Sequence, residues 1–327
     1  MSLKNKIVSL MAGLALTSCL AGSPLKKPEE LKCNTTYCTY NVSQEQSIVR
    51  FMTYNIAHGR RLKKSNYEIK SKAEVKRNLD DIASLIKEEN ADVVCLQEVD
   101  IESTWSFDIN QTQYLAEKAG FPYYAIGVKY DIDLGFFRFY TANSILSKYP
   151  IKGKNVFFEN DFARKVIGGD NYVDATIDVG TKKFAVLCTH LNSNSYLPLR
   201  DPDDVQKLRN KEMAMLIKAA KKKKIPVVLA GDLNSEIPWF IQSNGKPPKD
   251  TALKVLFKDK FFDWQQTVSF LKVNTPEQKE FFTGNVKYPY QVFDYVFVTH
   301  GVQLKNYHVP KKKFSDHFPV VVDIVLP

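Results

Sequence analysis

Apolar residues recur along this chain in two rhythms that follow one another. The segment "SIVRFMTYNI" (47–56) alternates well enough for a strand. Next, "VKRNLDDIASLIKEEN" (75–90) spaces Val75, Leu79, Ile82, Leu85 and Ile86 along one face of a helix ending at Asn90. "ADVVCLQEV" (91–99) predicts a short strand, and 110–119 a helix stopped by Gly120 and Pro122. Further strands are expected near 123–127, 142–148, 172–179 and 183–190. A helix around 202–222 and strands at 225–233, 293–299 and 318–326 complete the pattern. Strands outnumber helices, no internal repeat is visible, and β-α-β alternation gives way to hairpin-like pairs in the middle. This predicts one α/β domain of roughly 280 residues with helices covering its sheet or sheets on the outside. The pattern leaves one sheet or two open.

The N-terminus changes the picture. "MSLKNKIVSLMAGLALTSC" (1–19) is basic at Lys4 and Lys6, apolar from Ile7 to Leu16, and small-residued before Cys19. That is the layout of a secretory signal, too short for a comfortable membrane span. The "LTSC" ending resembles a bacterial lipobox. The resemblance implies a signal peptide over 1–18 and a lipid on Cys19, in a lipoprotein anchored to a membrane of the cell envelope. A plain signal peptide or an uncleaved anchor is the alternative. Residues 19–46 are polar, carry Pro24 and Pro28 and read as a tether, so 47–327 is the folded part. Cys33 and Cys38 could close a small disulfide loop outside the cytosol, whereas Cys95 and Cys188 sit in apolar runs as reduced core residues. A net charge of +10 favours anionic partners, although its lysine runs (221–224 and 311–313) are also what solvated faces look like.

Candidate chemistry lies at the ends of the apolar runs. Asn55 follows "FMTY", Glu98 follows "VVCLQ", and Thr189 and His190 follow "FAVLC". Asp232 and Asn234 come at the end of "VVLAG", Asp294 opens "DYVFV", and Asp316 and His317 precede "FPVVV". Buried charges need partners, and convergence on one metal ion would satisfy them together. Oxygen donors without a Cys-His cluster suit Mg²⁺ or Mn²⁺ rather than Zn²⁺. The histidines are then left for phosphate oxygens or proton transfer. His58 and His308 read as structural or exposed.

These residues, in this order, resemble the endonuclease/exonuclease/phosphatase superfamily. The matching pieces are "TYNIAHG" (53–59), "ADVVCLQEV" (91–99), "NSILSKYPI" (143–151), "VLCTHLNS" (186–193), "VVLAGDLNS" (227–235), "FDYVFV" (293–298) and "SDHFPVVVDI" (315–324). The resemblance implies a four-layered α/β sandwich, two packed, mainly antiparallel sheets flanked by helices. It also implies a divalent-metal-dependent phosphoester hydrolase, with Asn55, Glu98 and Asp316 at the metal. Asp232, as general base, and Asn234 would position the attacking water. His317 would contact the scissile phosphate, although some mechanisms in the superfamily make this histidine the base, and Asp294 would orient it. His190 would be a second phosphate contact or the acid for the leaving group. Arg138 and Arg164 are both candidates for a phosphate-binding arginine.

Substrate is less sharply drawn. A lipid-anchored phosphodiesterase on lipid-linked or other envelope phosphoesters is one reading, with "IPWFIQSNGKPP" (237–248) and "DLGFFRFY" (133–140) as membrane-touching loops. An extracytoplasmic nuclease gripping bases with Trp105 or Tyr288 is another. A non-catalytic phospho-ligand binder is a third. A monomer is expected in each case.

Overall fold

The computed structural model describes residues 32–33, 47–158, 168–193, 202–241, 245–248 and 251–327. The leader, Cys19, Cys38 and Arg164 lie outside the described residues, and so does any Cys33–Cys38 pairing. Of the expected tether, only Lys32 and Cys33 are described, as a two-residue strand paired with Tyr124 and Tyr123.

The first sheet contains β1 (Ile48–Asn55), β2 (Val93–Asp100), β3 (Tyr123–Asp133), β4 (Arg138–Ser147), β10 (Gln303–His308) and β11 (Val320–Val325). After the short 32–33 strand its order is β3-β4-β2-β1-β11-β10. The second sheet holds β5 (Ile151–Phe157), β6 (Asn171–Asp178), β7 (Lys183–His190), β8 (Val227–Asp232) and β9 (Asp294–Val298), in the order β9-β8-β7-β6-β5. Each sheet is antiparallel except at one pair, β1/β2 in the first and β7/β8 in the second. The question of one sheet or two is thereby answered, and the expected layering holds.

Period-two alternation builds the layers. Val49 and Phe51 of β1, with Val93 and Cys95 of β2, pack into the core between the sheets. Met52, Tyr54, Val94 and Leu96, one residue out of phase, face the other way. There they meet the helix α1 (Lys72–Glu88), whose Val75, Leu79, Ile82, Leu85 and Ile86 are the stripe read from the sequence. Strands buried on both faces read as unbroken apolar runs, as "ADVVCLQEV" does for β2. The helix α2 (Gln111–Ala119) lies on the same side, contributing Leu115 and Ala116. On the far side of the second sheet, α3 (Pro202–Lys221) contributes Met213, Leu216, Ile217 and Ala220. Beside it, α4 (Leu253–Asp259) adds Leu253 and Leu256, and α5 (Trp264–Phe270) packs Val268 there. Leu79 is fully buried, so Leu79→Ala is the kind of change that costs about 2–5 kcal/mol.

Candidate active site

Strand register lines up the side chains. His190 and Asp232 are register partners at the C-terminal ends of the parallel pair β7/β8. Asp232 in turn lies opposite Asp294 at the start of antiparallel β9. Three neighbouring strands thus present three polar residues in a row. From the other sheet, Asn55 is the last residue of β1 and pairs with Gln97 of β2. Both parallel pairs end at this cleft, in keeping with the tendency of ligands to gather at the carboxyl ends of parallel strands.

Local backbone distortions aim the remaining groups. The β2/β4 register slips between Leu96 and Val99, and Glu98, at φ +51°, turns from that irregularity into the cleft. Gly231 has φ +143°, and a Cβ there would lie 1.8 Å from the Thr189 carbonyl oxygen, so only glycine lets β8 deliver Asp232 this close to β7. The segment carrying His317 is tied down at both ends. Ser315 Oγ donates to the Asn55 carbonyl (2.7 Å), and the Phe318 N–H donates to the Thr283 carbonyl (2.8 Å).

The contacts form one network. Asn55 Nδ2 donates to Glu98 Oε1 (3.3 Å) and Asp232 Oδ2 (3.0 Å), while its Oδ1 accepts from the Ala57 N–H (3.0 Å). Asn55 thus clamps two carboxylates from different sheets. Asp232 Oδ1 accepts from the Asn234 N–H (2.9 Å), and its Oδ2 stands 3.5 Å from His190 Nε2 and 3.6 Å from His317 Nε2. His317 Nδ1 donates to Asp294 Oδ2 at 2.7 Å. Glu98 and His317, far apart in sequence, therefore share one cleft through Asn55 and Asp232.

Charge states follow from these surroundings. His317 is partly buried, which opposes protonation, yet the charges of Asp294 and Asp232 raise its pKa well above the usual imidazole range. That raised pKa favours the imidazolium form and points to Asp232 rather than His317 as the base. Burial, with Lys129 nearby, pulls His190 down to about 3. The Asn234 amide donates to His190 Nε2 (3.0 Å) and to the Leu191 carbonyl (3.0 Å). His190 is therefore neutral, with its proton on Nδ1 facing Glu98 Oε1 at 4.0 Å. This makes it a hydrogen-bond donor rather than the proton source for a leaving group, and makes Asn234 the group that fixes it. Burial pushes Asp232 up to about 7, with Asp294 adding to the shift. Glu98 is held well below the usual carboxylate range: burial opposes this, but the charges of His58 and Arg60, with His317 beyond them, outweigh it.

Three of these neighbours escaped the sequence reading. His58 is buried, with Nε2 3.4 Å from Glu98 Oε2 and Nδ1 2.9 Å from Asp100 Oδ1. Asp100 also accepts from Trp105 Nε1 at 2.8 Å. Arg60 reaches Glu98 Oε2 (3.5 Å) and Asp316 Oδ2 (2.5 Å), so among the described residues Arg60 is an arginine at the site. Arg138 is engaged elsewhere, with Asp131 and Glu102. His58 and Arg60 fall in or next to the quoted "TYNIAHG" stretch, which was the available signal. Trp105 does not offer a free face for stacking: Phe137 and Phe139 set their rings against it edge to face, as do His58 and Tyr67. His308 pairs with Glu89 outside this network.

Whether a cation suits these donors can be tested on the arrangement itself. Glu98, Asp232, Asp294 and Asp316 supply carboxylate oxygens, and Asp294 Oδ1 is buried with no hydrogen-bond partner among the described residues. Such hard, crowded oxygens fit a divalent ion of the Mg²⁺ type. One ligand atom each from Asp232, Asp294 and His317 lie within 4.8 Å of one another. The short His317–Asp294 bond engages Asp294 Oδ2 and His317 Nδ1 in that trio, which leaves Asp294 Oδ1 as the oxygen it could offer a cation. Glu98, hydrogen-bonded to Asn55 and linked through Arg60 to Asp316, is the seat that leaves that bond intact.

An α/β sandwich with carboxylates, amides and imidazoles meeting where its two sheets end their parallel pairs is the architecture of a metal-assisted phosphoester enzyme class. The chain belongs to the endonuclease/exonuclease/phosphatase family, which matches over residues 52–317. Among solved structures it is similar to an endonuclease/exonuclease/phosphatase from Beutenbergia cavernae DSM 12333, at 21% identity and a TM-score of 0.59, covering 85% of this chain and 72% of that one. A second, from Bacteroides vulgatus, has 17% identity and a TM-score of 0.60, covering 86% and 100%. A third, humanized D. rerio TDP2, has 16% identity and a TM-score of 0.54, covering 85% and 99%. These likenesses speak for the fold. No curated protein sequence matches the chain.

Proposed function

We propose that the protein is a divalent-metal-dependent phosphodiesterase working at the cell envelope, on lipid-linked phosphoesters. The observation that carries the hydrolase reading is Asn55 joining Glu98 of one sheet to Asp232 of the other, with His317 Nε2 3.6 Å from Asp232. Glu98, with Asn55 and Asp316 beside it, is assigned to hold Mg²⁺ or Mn²⁺. When bound, that ion neutralises charge on the phosphate oxygens. Asp232, poised near neutrality, takes the proton of the attacking water. His317 donates from Nε2 to a phosphate oxygen as charge builds there, and Asp294 keeps it protonated and aimed. His190 donates from Nδ1, held in that tautomer by Asn234.

The envelope part of the reading rests on the lipobox-like "LTSC" and the polar segment after it. No helix among the described residues is long and apolar enough to cross a membrane, and the anchor in this reading is a lipid on Cys19. Exposed apolar side chains in both candidate loops support a lipid surface as the workplace: Phe136 at 79% exposure, Trp239 at 41% and Ile241 at 47%.

The test uses the full chain with Mg²⁺ on three substrates: a chromogenic bis-aryl phosphodiester, sphingomyelin vesicles and plasmid DNA. Activity on the simple diester should fall by about 10²–10⁴-fold in His317→Ala and in Asp232→Asn. Headgroup release from vesicles with intact plasmid supports the lipid reading, and plasmid nicking in its place makes the enzyme a nuclease. Wild-type chain inert on all three leaves only a phospho-ligand binder.

A further inference from the structure

The most strained turn in the site has no part in the chemistry above. Ala57, His58 and Gly59 sit at φ +47°, +55° and +68°. Consecutive non-glycine residues stay left-handed only where their surroundings over-determine them. Here they do: Gln111 Nε2 donates to the His58 carbonyl (2.9 Å), and Asn78 Nδ2 donates to the Gly59 carbonyl (2.8 Å). The imidazole is anchored too, Nδ1 on the fully buried Asp100. Asp100 is itself held by Trp105 Nε1 at 2.8 Å and Ser103 Oγ at 3.3 Å. The outcome of so much fixation is to present Nε2 to Glu98 Oε2 at 3.4 Å.

We propose that His58 is a positioning residue for Glu98: a strut, braced on Asp100 and Trp105, that fixes Oε2 and so holds the carboxylate in place for the cation it would bind. This rests on the assignment of Glu98 as the cation-holding carboxylate. Glu98 sits at a register irregularity of β2 with positive φ, which aims its side chain into the cleft. Arg60 also approaches Oε2, at 3.5 Å, but divides itself between Glu98 and Asp316. Partners in the outer shell of a metal ligand typically change metal affinity about 10–100-fold.

Mn²⁺ titration of the full chain, read as free Mn²⁺ by electron paramagnetic resonance, separates a strut from a merely structural histidine. In His58→Asn the amide stands near Nδ1 and can keep Asp100, whereas in His58→Gln it extends to where Nε2 meets Glu98. The strut requires His58→Ala and His58→Asn to weaken Mn²⁺ binding by about 10-fold or more, with His58→Gln within about 3-fold of wild type. A structural role gives the opposite order, because asparagine tolerates the left-handed backbone better. His58→Asn binding as tightly as wild type, or His58→Gln as weakly as His58→Ala, overturns the proposal. Should His58→Ala fail to fold, Trp105→Phe removes one brace from Asp100 and is expected to weaken Mn²⁺ about 3-fold; unchanged affinity overturns the strut. If wild type binds no Mn²⁺, or Glu98→Gln binds as well as wild type, the assignment of Glu98 has failed, and the strut falls with it.

Discussion

At the scale of single residues, the pair His317–Asp294 decides how the site responds to pH. His317 Nδ1 donates to a carboxylate with no exposure, and the charges of Asp294 and Asp232 keep the imidazole protonated against its burial. A raised pKa means the proton is held at neutrality and lost only as pH climbs through the folded value, so hydrolysis should fade on the alkaline side. Asp294→Asn keeps the shape and removes one charge. Its alkaline limb is expected at lower pH than in wild type, with kcat down by about 10²-fold. The profile of kcat/KM against pH checks this, and an unmoved limb would refute it. Glu98, His190, Asp232, Asp294 and His317 were legible because each stands beside an apolar run that pins it. His58, Arg60 and Asp100 were not, because a left-handed turn and a slipped register bring them in, and neither leaves a periodic trace. Asn234 was found, but its job of fixing His190 depends on a contact 44 positions away in sequence.

At the scale of elements, the buried strands were readable, β9 among them although it lies at a sheet edge, and two exposed edge strands were not. β5 and β10 went unseen because each sits at a sheet edge, exposed over much of its length. α4 and α5 are seven residues each, too short for a periodic face to stand out. The start of α1 was misplaced by three residues, at Val75 rather than Lys72. Ser71 Oγ accepts from the Glu74 N–H (3.2 Å), and Glu74 reaches back to the Lys70 N–H (2.9 Å), so a capping arrangement sets the true start. α3 carries a different consequence. Its Glu212 accepts from both the side-chain amide and the N–H of Asn192, just past β7. Burial and the charge of Asp170 push this carboxyl up to about 8, against the opposing pull of Asn192 and Lys129. With the folded value above the ordinary 4.5, the stability it contributes is complete below the ordinary value and lost as pH rises through about 8. The melting temperature of the metal-free wild type should therefore fall relative to Glu212→Gln between those limits. Parallel curves in a calorimetric pH series would count against it.

At the scale of the whole molecule, the two sheets are joined by an apolar core and, at one rim, by a polar clamp. Asn55 and Glu98 come from the first sheet and Asp232 from the second, with burial and Asp294 resisting the ionised form of Asp232. A divalent ion seated at Glu98 would relieve that crowding and bind only the folded chain, because the unfolded chain has no such convergence. Ligand at about 100 times its dissociation constant stabilises by about 2.7 kcal/mol. For a domain this large each kcal/mol raises the melting temperature by about 2–4 °C, so saturating Mg²⁺ should add roughly 5–10 °C. A chelator should reverse the gain. Glu98→Gln should abolish it, while Glu212→Gln, outside the clamp, should keep it. Differential scanning calorimetry of the three chains with and without Mg²⁺ makes the comparison. A wild-type transition that ignores the ion would mean that these carboxylates meet for some purpose other than holding a metal.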